Sequence, residues 1–352
     1  MKDSTETLTR ITNKEALELY NGQPVLRLGQ MADEVRKTLH PEGIVTFIND
    51  RNINYTNVCI NHCSFCAFYR DENSPEAYVI EREELMRKIE ETVALGGTQV
   101  LLQGGLHPGL DMSFYTGMLK TIKELFSINI HGFSPPEIHY IAKIAGLSSL
   151  ETLVILKEAG LDSIPGGGAE ILSDRVRRRI SPRKINSAQW LEIMQQAHSI
   201  GMRTTATMMF GATETPEDMI EHLDAIRRLQ DKTGGFTAFI PWSFQPGNSE
   251  LGKEVSPTTG VDYLRVLALS RVYMDNIRNV QASWVTQGIK MAQVALRFGA
   301  NDFGSTMIEE NVVKAAGVSF KASKNDIVKA IQAAGFKAAQ RDTYYKTLQY
   351  FS

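Results

Sequence analysis

The sequence predicts an α/β fold, a (β/α)8 barrel of the TIM type with helices before it and a C-terminal extension after it. Short apolar segments alternate with amphipathic segments through most of the 352 residues, and such alternation produces a parallel sheet with helical crossovers. Eight apolar segments can be counted from residue 53 onwards. Turns rich in glycine, proline or cysteine follow many of them, as expected where barrel strands end. An open, partial barrel of six repeats with extra C-terminal elements is the main structural alternative.

Each element is predicted from the spacing of its apolar residues. Apolar residues at helical spacing, with charged residues between them, predict helices at 13–20, 25–40, 82–95, 114–125, 150–159, 187–200, 216–229, 262–276, 287–298 and 324–334. Short apolar runs bounded by turn residues predict strands at 44–48, 53–58, 99–102, 128–133, 161–164, 203–209, 236–240, 280–284 and 300–303. Residues 337–345 alternate polar and aromatic side chains, and this pattern predicts an extended segment.

Three regions follow from the order of these elements. We expect residues 1–43 to form an N-terminal helical cap and residues 44–318 to form the barrel. Residues 319–352 are expected to form an extension that packs on the barrel. No chemistry can be identified in this extension from its residues.

Composition and charge argue against several functional classes. The chain has 38 Lys and Arg against 40 Asp and Glu, a net charge of −2, so no basic excess points to nucleic acid. The first twenty residues lack the apolar run of a signal peptide. No stretch has the length of uncharged apolar residues that a membrane span needs. We therefore expect a cytoplasmic enzyme with neither nucleic acid nor membrane as a partner.

The three cysteines of the chain lie in one short segment. Cys59, Cys63 and Cys66 have the spacing C-x3-C-x2-C, and an aromatic residue, Phe65, precedes the last of them. Three thiolates so close together can bind three irons of a 4Fe-4S cluster and leave the fourth iron without a protein ligand. A small molecule can chelate such an iron through an amine and a carboxylate. The spacing therefore predicts a cluster that binds a second cofactor.

Two other interpretations of these cysteines are weaker. A structural zinc site needs four nitrogen or sulfur ligands, so His62 would have to complete it, and a residue directly beside Cys63 is poorly placed to do so. A disulfide with one spare thiol would suit a secreted chain, which the N-terminal residues do not indicate. The cluster is the interpretation that fits all three cysteines.

Glycine-rich turns follow two of the predicted strands. Gln103, Gly104 and Gly105 end the strand at 99–102, and the missing side chains let a ligand approach the backbone, where two exposed amide or carbonyl groups could hold an amine. The turn at 166–170 ends in Glu170, whose carboxylate can accept hydrogen bonds from both hydroxyls of a ribose. Glycine-rich turns are common, and it is their position at the same barrel end as the cysteine loop that favours a binding site.

The resemblance to a known family extends well beyond the cysteines. The segments that carry it are NINYTNVC, CSFCAFYR, QGGLHPGL, SPPEI, IPGGGAEIL, TATMMFG, GGFTAFIPWSFQPGN, QASWVTQG and GANDFGSTMIEENV. Together they resemble the radical S-adenosylmethionine (SAM) enzymes, in the branch that contains cyclic dehypoxanthine futalosine synthases, aminofutalosine synthases and the two deazaflavin synthase components. RTTATMMFG, GGFTAFIPWSFQPGN and QASWVTQG favour the family of cyclic dehypoxanthine futalosine synthases, and the resemblance spans nearly the whole chain.

The resemblance implies cofactors, partners and a reaction. The cofactors are a 4Fe-4S cluster and SAM, and the electron comes from an external one-electron donor of the flavodoxin or ferredoxin type. Cleavage of SAM gives a 5′-deoxyadenosyl radical that takes hydrogen from the 4′ carbon of a nucleoside-like small molecule. The resulting carbon radical attacks the benzoate ring of the same molecule and forms a spiro ring, in the futalosine route to menaquinone.

The resemblance also implies roles for particular residues. The cluster ligands are Cys59, Cys63 and Cys66. Phe65 lies beside the adenine, and the SAM amine is bound at Gln103, Gly104 and Gly105. Ser134 and Glu170 contact the methionine carboxylate or the ribose. Contacts with the substrate are implied for Trp242, Gln245, Asn301, Asp302, Ser305 and Thr306.

Three alternative activities are open at this point. An aminofutalosine synthase would consume the adenosyl radical as an adduct, so free 5′-deoxyadenosine would distinguish it from the cyclase. A deazaflavin synthase component would need a tyrosine-derived substrate and a partner radical. A cluster-bearing sensor would need only the cysteines, and failure of the reconstituted protein to bind SAM would favour it.

Overall fold

A curled parallel sheet forms the centre of the computed structural model, which describes residues 9–351. The strands are β1 (Ile44–Ile48), β2 (Asp50–Asn54), β3 (Gln99–Gln103), β4 (Asn129–Gly132), β5 (Ser163–Ile164), β6 (Arg203–Phe210), β7 (Phe236–Ser243), β8 (Asn279–Val280), β9 (Asp302–Ser305), β10 (Lys337–Arg341) and β11 (Thr347–Phe351). The first seven α-helices are α1 (Asn13–Gly22), α2 (Val25–Leu39), α3 (Arg82–Ala94), α4 (Met112–Leu125), α5 (Pro135–Ala145), α6 (Ser149–Ala159) and α7 (Asp174–Ile180). The remainder are α8 (Ser187–Ser199), α9 (Pro216–Thr233), α10 (Gly260–Tyr273), α11 (Trp284–Gln287), α12 (Ile289–Ala295), α13 (Val312–Ala315) and α14 (Lys324–Ala333), with a 3-10 turn at Leu251–Lys253.

The strands β2 to β8 form one sheet in chain order, and every neighbouring pair is parallel. Strand β9 pairs in parallel with β1, and a single bridge between Gln281 and Asp302 joins the end of β8 to β9. Only Asn49 separates β1 from β2, so the two act as one strand and the described sheet curls back to its first strand. The predicted α/β fold with parallel strands and helical crossovers is confirmed.

Some predicted bounds differ from the structure, with consequences for the site. The strand predicted at 280–284 is only Asn279–Val280, because Trp284 already begins α11. The strand predicted at 300–303 is Asp302–Ser305. Helix α5 was not predicted because Pro135 and Pro136 open it, although proline is well tolerated in the first turn of a helix.

The N-terminal helices lie along the outside of the sheet. Helix α1 packs against α9, and α2 packs against α10. Thr12 and Glu15 form a capping box at the start of α1, which satisfies amide groups that have no partner within the helix. Within residues 9–351 no helix is long and apolar enough to cross a membrane alone, and α5 with α6 passes that test only as a pair bent by 102°.

The C-terminal segment takes part in the barrel itself. Strand β10 pairs in parallel with β1, on the side of β1 opposite to β9, and β11 pairs antiparallel with β10. Arg341, at the end of β10, is buried and forms a two-point ion pair with Asp302 of β9 at 2.5 and 3.0 Å. The Thr343 hydroxyl donates to Gln99 Oε1 of β3 at 2.8 Å. The extension therefore supplies side chains to the barrel interior, which the sequence did not indicate.

Candidate active site

A cavity of about 370 Å³ occupies the inside of the barrel. Phe65, Gln103 and Glu170 line it at the carboxyl ends of the strands, and Arg341 and Tyr345 line it at the other end. Most TIM barrels fill this space with layers of branched apolar side chains. Here many of the lining side chains are polar and come from the inward faces of the strands. A cavity of this size, with polar side chains set among apolar ones, suits a small molecule rather than a packed core.

The cysteine loop connects β2 to α3 and contributes Phe65 to the cavity wall. Cys63 is buried, whereas Cys59 and Cys66 are partly exposed, and all three are free thiols. Backbone bonds hold the loop in place: the Cys59 amide donates to the Arg70 carbonyl at 3.1 Å and the Ser64 amide to the Ile180 carbonyl at 2.9 Å. Burial raises the pKa of the Cys63 thiol to about 12. Iron binding must therefore displace a proton from this sulfur.

His62, the candidate fourth ligand of a zinc site, is engaged elsewhere. Its ring stacks on Tyr69 with centroids 4.9 Å apart, and its Nε2 lies 3.0 Å from Asp71 Oδ1. Among residues 9–351 no three His, Cys, Asp or Glu side chains converge as the ligands of a single ion do. In a 4Fe-4S cluster each cysteine binds a different iron, so the three thiols need not converge on one point.

The glycine turn after β3 is more tightly packed than the sequence suggested. The Gly104 amide donates to Glu137 at 2.9 Å, and the Gly105 amide donates to the Thr56 carbonyl at 3.0 Å. A Cβ atom at Gly105 would lie 2.1 Å from the Val58 carbonyl oxygen. Glycine is therefore required here by the close approach of the protein's own backbone. The two amides are thus not available to a ligand, and the carbonyl groups of this turn are the backbone atoms left to bind an amine.

Glu137 fixes the ends of three strands, and the sequence analysis missed it. Its Oε1 accepts hydrogen bonds from the Tyr55 hydroxyl at 2.7 Å and from the Gly104 amide at 2.9 Å. Its Oε2 accepts from the Ser134 amide at 2.7 Å and from the Ser134 hydroxyl at 2.5 Å. The hydroxyl proton of Ser134 is therefore committed to this cap. The S-P-P-E spacing of a capping box was the signal that could have identified Glu137.

Glu170 and Lys184 form a buried ion pair beside the cysteine loop. Lys184 Nζ lies 2.6 Å from Glu170 Oε1 and 5.1 Å from the centre of the Phe65 ring. The second oxygen, Glu170 Oε2, is buried and has no partner among the described residues. An unpartnered buried carboxylate oxygen is costly, and in a cavity wall it fits a ligand that donates hydroxyl groups. The residues present thus fit the ribose of SAM, and Lys184 was not predicted.

The six predicted substrate contacts fall into two groups. Trp242 and Ser305 line the cavity. Asn301 accepts from Arg271 and from the Val280 amide, and Thr306 donates to Asn49 Oδ1 at 2.8 Å. Both are absent from the cavity wall, as are Asp302, which is paired with Arg341, and Gln245, whose amide bonds Ser243. None of these four side chains lines the cavity in this structure, and their contact with the substrate stays a prediction.

Asp50 is a second carboxylate of the cavity wall that the sequence did not reveal. It accepts hydrogen bonds from the Ser305 hydroxyl and from Gln99 Nε2, the latter at 2.6 Å. Arg341 and Asp302 are the charged groups that act on it. Burial raises the pKa of Asp50 from its ordinary value of 3.8 to about 6.

This shift predicts a pH-dependent difference in stability between the wild type and Asp50→Asn. The pKa of Asp50 is higher in the folded than in the unfolded protein, so the folded state is favoured when this carboxyl is protonated. Its contribution to the free energy of unfolding is therefore complete below about pH 4 and is lost as the pH rises through about 6. The variant cannot titrate at this position. Between pH 4.5 and pH 7 its free energy of unfolding should therefore rise by about 2 kcal/mol relative to that of the wild type. Urea unfolding of the iron-free proteins at both pH values checks this. A constant difference between the two proteins would contradict it.

Two family models match the chain. The radical SAM superfamily matches residues 53–226, and the CofH/MqnC C-terminal region matches residues 233–351. The first range contains the cysteine loop and the Glu170–Lys184 pair, and the second contains β7 to β11. The two matches together contain all the cavity-lining residues except Ile48, Asp50 and Asn52.

Curated relatives are similar over almost the whole length. A cyclic dehypoxanthine futalosine synthase of Halalkalibacterium halodurans is 46% identical, with 97% of this chain and 92% of that protein covered. A protein of the same name from Streptomyces coelicolor is 43% identical, with 96% and 86% covered. A 5-amino-6-(D-ribitylamino)uracil--L-tyrosine 4-hydroxyphenyl transferase of Methanothermobacter thermautotrophicus is 42% identical, with 96% and 95% covered.

Solved structures share the fold at low identity. Methylornithine synthase (PylB) has a TM-score of 0.74 at 19% identity, with 94% of this chain and 95% of that chain covered. The FeFe-hydrogenase maturase HydG from Carboxydothermus hydrogenoformans has a TM-score of 0.72 at 17% identity, with 97% and 78% covered.

Proposed function

Because this chain belongs to the radical SAM superfamily, whose members bind a 4Fe-4S cluster and SAM, we propose that it converts dehypoxanthine futalosine to the cyclic product in menaquinone biosynthesis. The observation that carries the proposal is the identity of 46% and 43% to two cyclic dehypoxanthine futalosine synthases over 97% and 96% of the chain.

The residues in and beside the cavity suit the two cofactors. Cys59, Cys63 and Cys66 would hold the cluster, and the carbonyl groups at Gly104 and Gly105 would accept hydrogen bonds from the SAM amine. Glu170 Oε2 would accept from the ribose hydroxyls. When bound, the two cofactors would supply a 5′-deoxyadenosyl radical, the species that would take hydrogen from the substrate's 4′ carbon. Because carbon radicals react with many neighbours, the protein must hold the two reacting atoms in contact.

The apolar part of the cavity suits the aromatic half of the proposed substrate. Trp242, Trp284 and Val285 line it together with Met307. A ring that must approach the sugar carbon of its own molecule needs a wall that fixes its orientation and excludes water. Aromatic and branched side chains do both, and their position beside the polar strand faces allows one molecule to contact both surfaces.

The electron donor and the location are also part of the proposal. Reduction of the cluster requires a one-electron donor, and a flavodoxin- or ferredoxin-type protein suits this role. An oxygen-sensitive cluster with three free cysteines suits the reducing cytoplasm. The substrate class itself, a small molecule, fits a cavity of about 370 Å³.

The role of Glu170 predicts an effect of changing its partner. In Lys184→Met the carboxylate loses its ion pair and its fixed orientation, so we expect SAM to bind about 10- to 100-fold more weakly, as for loss of a charge-assisted hydrogen bond. Titration calorimetry of the reconstituted protein with SAM measures this. Lys143→Met, which removes an exposed lysine outside the cavity, is the control. Equal SAM affinity in both variants would contradict the assigned role.

A second candidate function rests on the archaeal relatives. The transferase of Methanothermobacter thermautotrophicus is 42% identical, only slightly below the cyclases, and covers the same share of this chain as the Streptomyces protein. Its name gives its substrates as 5-amino-6-(D-ribitylamino)uracil and L-tyrosine. This candidate is therefore tested beside the first.

The deciding experiment is an anaerobic assay of the iron-reconstituted protein with SAM and dithionite. Dehypoxanthine futalosine is supplied in one reaction, and ribitylaminouracil with tyrosine in another, and products are identified by mass spectrometry. Free 5′-deoxyadenosine with a futalosine product two hydrogens lighter would establish the cyclase. A tyrosine-derived adduct of the uracil, with the futalosine unchanged, would overturn the proposal in favour of the transferase.

A further inference from the structure

Asn52 has an unexplained side chain in the wall of the cavity. It lies in the middle of β2, is only 4% exposed and lines the cavity. Its Oδ1 is buried without a hydrogen-bond partner, and no hydrogen bond joins its side chain to another residue of the range 9–351. Buried polar groups in native proteins nearly always have a partner. A buried amide without a partner in a cavity wall indicates that a ligand supplies its hydrogen-bond partner.

The position of Asn52 along the barrel axis shows which ligand it would meet. In the pairing of β2 with β3, Asp50 lies opposite Gln99, Asn52 opposite Leu101 and Asn54 opposite Gln103. Asn52 is thus two residues, about 7 Å, below the level of Gln103, where the SAM amine is proposed to bind. Asp50 lies a further two residues along β2, towards the end of the cavity that Arg341 and Tyr345 line, which forms its floor. Asn52 lies one layer beneath the SAM site.

Four hydroxyl groups of the cavity wall are already bonded within the protein. Thr207 donates to the Gly166 carbonyl at 2.6 Å, and Thr205 accepts from the Gly166 amide at 3.0 Å. Ser283 and Thr286 bond to each other at 2.9 Å. Asn52 therefore offers a free amide to a ligand that these four hydroxyl groups do not bind, whereas the unpartnered hydroxyl of Tyr345 lies at the other end of the cavity.

We propose that Asn52 binds a hydroxyl group of the substrate's sugar and so holds its reacting carbon beneath SAM. The inference rests on the proposed function, because it takes the sugar of dehypoxanthine futalosine as the ligand. A side-chain amide has both an acceptor and a donor, and a hydroxyl is a neutral group that can bond to either of them. The 4′ hydrogen must come into contact with the 5′ carbon of SAM, so the sugar has to occupy the layer directly below the SAM site.

The test compares Asn52→Leu, which keeps the size of the side chain, with the wild type. Binding of dehypoxanthine futalosine is measured by calorimetry on the cluster-containing protein with SAM and no reductant. We expect the variant to bind about tenfold more weakly, the effect of one hydrogen bond, with unchanged SAM affinity. Thr98→Val is the matched control, because the Thr98 hydroxyl is also buried without a partner but does not line the cavity.

Deoxy analogues show whether the lost bond is to the sugar. The 2′-deoxy or the 3′-deoxy substrate should bind the wild type about tenfold more weakly, yet bind Asn52→Leu as well as the complete substrate does. Three results would overturn the inference: unchanged substrate affinity in Asn52→Leu, weakened SAM affinity, or a further equal loss for both analogues in the variant.

The same proteins separate this inference from the proposed function. If the wild type leaves dehypoxanthine futalosine unchanged and converts ribitylaminouracil, the proposed function fails. Binding of ribitylaminouracil, a polyol, is then measured in the wild type and in Asn52→Leu. A tenfold loss in the variant would retain Asn52 as the hydroxyl-binding residue, and equal affinities would overturn the inference as well.

Discussion

Replacement of Cys63 by serine should lower the formation of 5′-deoxyadenosine by at least about 10³-fold, because the cofactor carries the chemistry and the chain has no substitute ligand. The three cysteines are the complete set of thiols in the 352 residues. Cys63 is the most buried of them, so a water molecule cannot easily replace its sulfur as a ligand of the iron. The measurement is deoxyadenosine per minute, together with iron content and the visible absorption of the reconstituted protein.

Ser64→Ala is the control for this change. Its hydroxyl donates to the Ile180 carbonyl at 3.1 Å, and the amide of the same residue bonds to that carbonyl as well, so the loop keeps an anchor without the hydroxyl. We expect the control to retain its iron and most of its activity. If Cys63→Ser retained a full complement of iron and the activity of the control, Cys63 would not be a cluster ligand.

Replacement of Arg341 by methionine should lower the free energy of unfolding by about 3–5 kcal/mol, the usual effect of leaving one member of a buried ion pair alone. Its partner Asp302 is 0% exposed. The Thr46 hydroxyl at 2.5 Å and the Gly304 amide at 2.9 Å would be the remaining donors to that carboxylate. Urea unfolding of the iron-free proteins provides the measurement.

Two comparisons show whether the charge is the cause. Arg10→Met breaks an exposed pair with Asp231 and Asp275 and should cost less than about 1 kcal/mol. The double variant Arg341→Met, Asp302→Leu leaves no buried charge and should recover part of the loss. If Arg341→Met were no less stable than Arg10→Met, the ion pair would not hold the floor of the barrel.

The sequence was most informative where the chemistry is local. Cys59, Cys63 and Cys66 fall within one loop, and their spacing alone indicated the cluster. Lys184 could not be identified in the same way, because in the segment S-P-R-K it has the pattern of an exposed surface lysine. Only the fold places it beside Glu170. Arg341 and Asp302 lie on different strands of the barrel, and only the strand pairing makes them neighbours.

The difference near β9 lies in where the strand begins. The prediction began this strand at residue 300, and the structure begins it at Asp302 and ends it at Ser305. Asn301 therefore lies before the strand, where its side-chain oxygen accepts hydrogen bonds from Arg271 and from the Val280 amide. Ser305 lies at the end of the strand and reaches the cavity.

The pairing of β1 with β10 joins distant parts of the chain, Ile44 with Lys337. On the ribosome β1 emerges long before its partner has been synthesised, so one edge of this apolar strand stays unpaired while the rest of the barrel assembles. Contacts of such high sequence separation slow folding, and an exposed strand edge promotes aggregation during the delay. Yield of the enzyme in a cell should therefore depend on chaperones more than its final stability suggests.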